Sequence, residues 1–412
     1  MARKMKDSGI EWIGEIPEGW EIRKIKNNFM IYAGATPKSE KAEYWDGGIP
    51  WITPADFKTT DKYVSYGRKS LTALGYDSCG TTLVPAGSII FSKRAPVGSV
   101  VIAKNTLCTN QGCLACIPND AVNSTYFYYC MSIFTEQFEL VSAGTTFKEI
   151  AASTFASFLL PCPPLSQQNE IVNFLDKESS RIDSMLSKTR SSIEEYKKLK
   201  QAVITQAVTT LNCPNVKLKY LMDIIVDCPH ETPIYTFTGN YLVIRTSDQS
   251  LASLRCDEYM YRLDEAEYKK RTRRLTLDKD DIVYGREGSW GLACLVPQSN
   301  KYCLGQRVMQ FRCNTQLLYP KYAMYTLNSE TVYMQGALDT IGSTAPHVNI
   351  STICNYLLPV PTLTEQKEIT NYLDAKCAEI DKLIAKKEQL VKELESYKKS
   401  LIYEVVTGKR EV

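Results

Sequence analysis

Residues 164–176 read PLSQQNEIVNFLD, and residues 362–374 read TLTEQKEITNYLD. The two stretches begin 198 positions apart, and the likeness extends well beyond them. At that offset the chain aligns with itself without a gap from Gly144 to Thr209 against Gly342 to Thr407. Leu160-Pro161 recurs as Leu358-Pro359, and Pro163, Leu165, Gln168, Glu170, Ile171, Asn173, Leu175 and Asp176 all recur. So do Ile182-Asp183 and Val208-Thr209. Upstream the likeness is looser. GSIIFSKRAPVGSVVIA (87–103) parallels DDIVYGREGSWGLACLV (280–296), TNQGCLACI (109–117) parallels LGQRVMQFR (304–312), and IRKIK (22–26) parallels NVKLK (215–219). Self-similarity of this kind marks a duplicated structural unit. Each unit is a diverged globular portion followed by a closely similar segment, so the similar segments share a task and the globular portions perform different versions of one.

The similar segments have the spacing of long helices. In the second copy, Leu373, Lys376, Ile380, Leu383, Lys387, Leu390, Leu394, Tyr397 and Leu401 alternate by three and four, a heptad seam with two polar positions. Subtracting 198 gives a weaker seam of Leu175, Glu178, Ile182, Met185, Thr189, Ser192, Tyr196, Leu199 and Val203. Each helix follows a proline-rich stop (PCPPL, PVPTL), with Ser166 and Thr364 as expected N-caps. About 45 residues at 1.5 Å each make a rod of roughly 65 Å. Helices with exposed apolar seams are unstable alone, so the two are expected to pack against each other. The globular portions read as mixed α and β. GSIIF, SVVIA, DDIVYG and YLVIRT are strand-like, and residues 126–143 and 319–338 are helical at matching places. The expected fold is therefore α+β: two similar mixed α/β domains with two long antiparallel coiled-coil helices, related by an internal pseudo-two-fold duplication. Expected boundaries are 1–160, 161–213, 214–357 and 358–412.

The chain has 412 residues, more than one ordinary core organises. Its 44% hydrophobic and 23% charged content is that of a soluble globular protein. No apolar run approaches a membrane span, and MARKMKDSGIEWIGEIPEGW lacks the apolar core of a secretory signal, so a cytoplasmic location is expected. The fourteen cysteines are scattered in apolar runs and read as reduced, buried thiols. Cys113 and Cys116 have metal-like spacing but no second pair, so no metal site is expected.

No catalytic constellation emerges. There is no phosphate-binding loop, and GREGSWG (285–291) sits between strand-like runs, as a turn does. The only histidines, His230 and His347, have no partners at catalytic spacing, and Glu287 and Asp280-Asp281 fit no nuclease or glycosidase pattern. What remains is recognition chemistry. Residues 261–274 (YRLDEAEYKKRTRR) carry five basic residues in the last six. Loops in both halves set cations beside hydroxyl, aromatic and glycine residues, a mixture suited to phosphate and base-edge contacts. The candidate nucleic-acid-binding residues are Thr36, Lys38, Tyr66, Arg68, Lys69, Lys93 and Arg94 in the first half. In the second they are Arg245, Thr246, Ser247, Arg273, Arg274, Arg286 and Trp290. The net charge of +3 is not the bulk signature of a nonspecific nucleic-acid coat, and it does not exclude a reader with clustered cations.

In this order, DSGIEWIGEIPEGWEIRKIK (7–26), GATPKSEKAEYWDGGIPWITPADF (34–57), DCPHETPIYTFTGNYLVIRTSD (227–248) and the two repeated segments resemble the specificity subunit of type I restriction-modification systems over essentially the whole chain. The resemblance implies a non-catalytic DNA reader. Two target recognition domains each contact half of a split, asymmetric double-stranded DNA site. The helices hold them apart and dock two methyltransferase subunits, which methylate adenine with S-adenosylmethionine. Two restriction-translocase subunits complete the nuclease. No cofactor is implied on this chain, and the absence of an Asn-Pro-Pro-Tyr/Phe motif argues against a fused methyltransferase. The competing reading is a two-lobed coiled-coil scaffold for protein partners. It explains the repeat and the near-neutral charge but not the arginine- and hydroxyl-rich loops, and binding to random duplex DNA separates the two.

Overall fold

The computed structural model describes residues 3–57, 61–94, 96–144, 148–255, 257–288, 290–337, 340 and 347–412. Two compact units emerge: Met1–Lys188 with Val391–Val412, and Thr189–Leu390. These bounds cut across those expected from sequence, because each unit takes half of each long helix.

In the first unit a five-stranded sheet has the spatial order Phe29–Ala33, Cys113–Pro118, Ile89–Ser92, Val100–Ala103, Tyr63–Val64. A three-stranded sheet has the order Cys108–Thr109, Trp45–Ile52, Lys69–Leu71. GSIIF and SVVIA become the antiparallel pair Ile89–Ser92 and Val100–Ala103, buried at every position, which is why both read as continuous apolar runs. The second unit has a four-stranded sheet, Met222–Asp227, Val308–Cys313, Ile282–Gly285, Ala293–Leu295, and a three-stranded one, Arg262–Leu263, Tyr241–Ile244, Tyr302–Leu304. The smaller sheets correspond. Each contains one parallel pair, registered Trp51↔Cys108 in the first unit and Ile244↔Leu304 in the second. In both units a two-stranded ribbon ties the start of the globular portion to the approach of a long helix. Glu21–Lys24 pairs with Leu159–Cys162, and Asn215–Lys217 pairs with Leu357–Pro359.

The helices expected over 126–143 and 319–338 are each broken in two: Ser124–Ile133 and Thr135–Leu140, then Pro320–Leu327 and Glu330–Ala337. Asn328 explains the second break. Its amide exchanges hydrogen bonds with both backbone groups of Ala293 and donates to Met324 O, drawing the chain out of the helix.

The long helices are Leu165–Thr209 and Leu363–Val406, 45 and 44 residues. Within the first unit the start of one runs antiparallel to the end of the other. Lys398 Nζ bonds both Asp183 oxygens at 2.6 and 2.8 Å, and the Arg410 guanidinium lies 5.8 Å from the Phe174 ring centre. Within the second unit Lys200 Nζ bonds both Asp381 oxygens at 2.9 and 2.8 Å in the same antiparallel sense. The recurring residues hold each helix start to its globular portion by the same contacts. Gln168 Oε1 accepts from Asn123 N at 2.8 Å and its Nε2 donates to Pro163 O at 2.8 Å. Gln366 does the same with Tyr319 N (2.7 Å) and Pro361 O (2.9 Å). Asp176 accepts from Tyr129 OH and Lys62 Nζ, and Asp374 accepts from Tyr325 OH and Lys321 Nζ. Both glutamines are buried, where an unmatched amide is costly, so these positions tolerate little change.

The expected seam is half right. Leu175, Ile182, Thr189, Leu373, Ile380 and Leu401 are buried, Leu394 packs on the first core, and Tyr196, Val203 and Leu383 are partly covered. Met185 (37% exposed), Leu199 (47%), Leu390 (38%) and Tyr397 (48%) face solvent. The alternating positions fall one residue later, on Ser179, Leu186, Ile193 and Lys200 in the first helix and Cys377 in the second. Positions i+3 and i+4 both fall within a 100°-wide apolar stripe, so spacing alone did not choose between adjacent columns. The N-caps are also corrected. Ser166 and Thr364 lie inside their helices, and the cap of the second is Thr362, whose N and Oγ1 donate to Glu365 Oε2 at 2.9 and 2.7 Å. Cys113 and Cys116 lie on one strand, three residues apart and therefore on opposite faces, where two ligands for one ion do not meet. Burial pushes both thiols up, keeping them protonated.

Candidate nucleic-acid interface

Each unit ends the central strand of its smaller sheet in a single turn of 3₁₀ helix, closed by an aspartate four residues after the last residue of the strand. In the first unit Trp45–Ile52 runs into Thr53-Pro54-Ala55-Asp56. Asp56 accepts from Thr53 N (2.8 Å), Thr53 Oγ1 (2.7 Å), Arg68 N (3.0 Å) and Arg68 Nε (3.1 Å). In the second, Tyr241–Ile244 runs into Arg245-Thr246-Ser247-Asp248. Asp248 accepts from Arg245 N (3.0 Å), Nε (2.9 Å) and Nη2 (2.9 Å). The Thr-x-x-Asp spacing in TPAD is a capping-box signature readable from sequence, although the sequence reading did not single it out.

Further loops gather around each turn. In the first unit Trp51 Nε1 donates to Ala35 O at 3.0 Å, the Thr36 hydroxyl bonds the Gln111 side chain, and Lys93 N donates to Gly112 O at 2.9 Å. Thr36, Arg68, Lys93 and Arg94 therefore lie on neighbouring loops. Lys93 and Arg94 both pair with Glu149, at 3.0 and 2.8 Å, and these hydrogen bonds hold the Glu149 carboxyl below the usual range. Lys69 lies 4.8 Å from the Trp45 ring centre; Lys38 and Tyr66 are exposed. In the second unit the Arg245 guanidinium stacks on Tyr261 at 3.8 Å, Thr246 is half-buried, and Ser247 is exposed. Arg273 and Arg274 are exposed just beyond the Glu265–Arg271 helix.

Two candidates lie elsewhere. Arg286 is buried and clamps Asp227 with two bonds, 2.9 and 3.1 Å. Trp290 is buried in the second core, stacked 4.1 Å from Tyr333 at 4°. Both are braced within the fold, Arg286 by Asp227 and Trp290 by the Tyr333 ring. GREGSWG is the connection between the antiparallel strands Ile282–Gly285 and Ala293–Leu295, with Gly288 and Gly291 at positive φ. His230 bonds Asp227, and His347 pairs through its backbone with Glu287 shortly before the Ile350–Cys354 helix. Residues that sequence reasoning missed are Asp56, Asp227 and Asp248, which orient the arginines, and Gln111, Gln306 and Arg307 on the loops beside them.

Asp56 yields a test. Burial raises its carboxyl, but the bonds from Thr53 and Arg68 outweigh burial and hold it below the usual range. A depressed folded value means the stabilisation is full above the unfolded value of about 3.9 and is lost as pH falls through the folded one. Asp56→Ala leaves Thr53 N and Arg68 N without their acceptor and is expected to cost about 1–3 kcal/mol at pH 7. In urea titrations the gap between wild type and variant should be constant from pH 5 to 7 and close below about pH 4. A gap that does not narrow at all as pH falls from 5 to 2 would show that the charge on Asp56 is not what stabilises the turn.

The chain matches the family model described as the type I restriction modification DNA specificity domain twice, at residues 17–195 and 227–393, most of its length. It belongs to this family. Specificity subunits are the non-catalytic DNA-recognition members of type I systems. A 190-residue stretch is 37% identical to the MjaIX specificity subunit of Methanocaldococcus jannaschii, covering 45% of this chain and 43% of that relative. The MjaVIII specificity subunit of the same organism is 21% identical over 96% of this chain and 93% of its own length. In fold, this specificity chain is similar to a chain from a solved structure described as the structural basis of complex assembly and conformational transition of the type I restriction-modification system. The TM-score is 0.73 at 15% identity, over 96% and 99% of the two chains. Among the described residues no helix of the specificity chain is long and apolar enough to cross a membrane.

Proposed function

We propose that this specificity chain reads a split, asymmetric DNA duplex site for a type I restriction-modification complex in the cytoplasm. The globular portions, 1–160 and 214–357, each read one half-site. The helical regions, 161–213 and 358–412, dock two methyltransferase subunits, which supply S-adenosylmethionine, and through them two restriction-translocase subunits. The observation that carries this reading is the pair of matching turns. The same strand end and aspartate closure present Thr53 and Arg68 in one unit and Arg245 in the other, so one scaffold offers different donors to different half-sites.

The test is to express the chain with its methyltransferase and sequence methylated adenines in host DNA. A bipartite asymmetric motif that vanishes when this chain is deleted supports the proposal; methylation unaffected by deletion overturns it. Arg273 and Arg274 are expected to contact phosphate. Replacing both with alanine should weaken binding equally at all sequences and lower the dependence of log K on log salt by about 1–2. An unchanged slope would make the pair ordinary solvated surface.

A further inference from the structure

We infer that Arg307 reads a base pair in the half-site bound by the second unit, an inference that rests on the DNA-recognition reading above. The arginines of this unit sort by what holds them. Arg286 is bound by Asp227 and Arg312 by Asp281, while Arg271 donates to the carbonyls of Leu304, Glu231 and Pro229. These guanidinium groups are spent on the fold. Arg307 is exposed, and among the described residues no hydrogen bond or ion pair engages its guanidinium.

Its backbone is the opposite of free. Arg307 has φ +69°, a region that residues with a Cβ seldom occupy. The surrounding contacts impose it. Arg307 O accepts from Arg286 N at 3.0 Å, and Gly305 N donates to Ile244 O at 2.8 Å. Gln306 Nε2 donates to His230 O (3.3 Å) and Thr232 Oγ1 (3.2 Å). Over-determined backbone outliers of this kind cluster where a chain meets its ligand. The open backbone of Gly288 leaves room beside the arginine head: a Cβ there would lie 3.7 Å from Arg307 Nη1.

The first unit supplies the contrast. Alignment of TNQG (109–112) with LGQR (304–307) sets Gly112 opposite Arg307. Gly112 is buried, and a Cβ there would meet Asn110 Oδ1 and Pro54 Cγ at 3.1 Å. The same junction thus carries a long forked donor in one unit and no side chain in the other, a difference placed where two half-sites must be told apart. A guanidinium with its fork unspent, on a loop tied at three points, suits the paired acceptors N7 and O6 of guanine in the major groove.

Arg307→Gly tests this without endangering the fold, because glycine accepts φ +69° and already stands at the matching position. The full chain, assembled with its methyltransferase subunits in a host cell, is read by sequencing methylated adenines. Discrimination at one position of the second half-site should fall roughly 5- to 150-fold, with every other position and the whole first half-site unchanged. Arg307→Lys should fall between. A uniform drop in methylation with an unaltered motif would make Arg307 a phosphate contact and overturn the inference, as would no change at all. If the wild-type complex itself shows no sequence-specific methylation, the DNA-recognition reading fails first and this inference with it.

Discussion

Ile182→Glu combined with Leu186→Glu is expected to abolish folding of the first unit, whereas Met185→Glu combined with Leu199→Glu leaves the chain folded and able to bind its methyltransferase. All four positions lie on one helix and all are apolar. Ile182 and Leu186 are buried in the first core with Leu401, Val405 and Val406, so a carboxylate at either has no water and no cation. An unpaired buried charge costs roughly 3–5 kcal/mol, and two of them approach the 5–15 kcal/mol that a domain possesses. Met185 and Leu199 are exposed, and a charge there costs at most about 0.5 kcal/mol. Urea unfolding followed by circular dichroism, with gel filtration of the mixture with methyltransferase, measures both. Equal damage from the two pairs would show that the buried column has been misplaced.

A chain ending after residue 212 is expected to dimerise and to convert the asymmetric target into an interrupted palindrome of the first half-site. The cut removes Val391–Val412, which belongs to the first unit. Leu401, Ile402, Val405 and Val406 leave that core, and Tyr126 OH loses Val406 O, to which it donates at 2.9 Å. The repeat supplies a substitute. At the offset of 198 these residues become Val203, Ile204, Ala207 and Val208, which a second copy offers on the end of its own long helix. The exchange loses three carbons from the core, roughly 2 kcal/mol per unit at about 0.8 kcal/mol each, so the dimer is weaker than the intact chain and docked methyltransferase should strengthen it. Two identical first units about a true two-fold axis read identical half-sites in opposite orientation. Sedimentation velocity gives the oligomeric state, and sequencing of methylated adenines gives the target. An active fragment that still marks the original asymmetric site would refute the substitution.

The amino-acid sequence by itself determined the duplication, the existence and length of the long helices, and the residues that tie them down. Gln168 and Gln366 recur because each makes the same buried contacts in its own unit, and Asp176 and Asp374 recur because each accepts from a tyrosine hydroxyl and a lysine, and contacts that leave no alternative leave their mark in one dimension. Several strands were legible for the same reason, being buried at every position and therefore continuously apolar. Only the tertiary structure decided which of two adjacent apolar columns is buried, how each helix is divided between the units, and which arginines remain available to a ligand. A heptad repeat specifies a face about 100° wide, and the surface opposite it selects the column within that face. For the arginines the deciding partners are remote in the chain: Arg286 is held by Asp227, 59 residues earlier, and Arg271 by the carbonyl of Leu304, 33 residues later. No pattern local to either arginine encodes those meetings, so burial and freedom among like residues became visible only when the sheets brought their partners together.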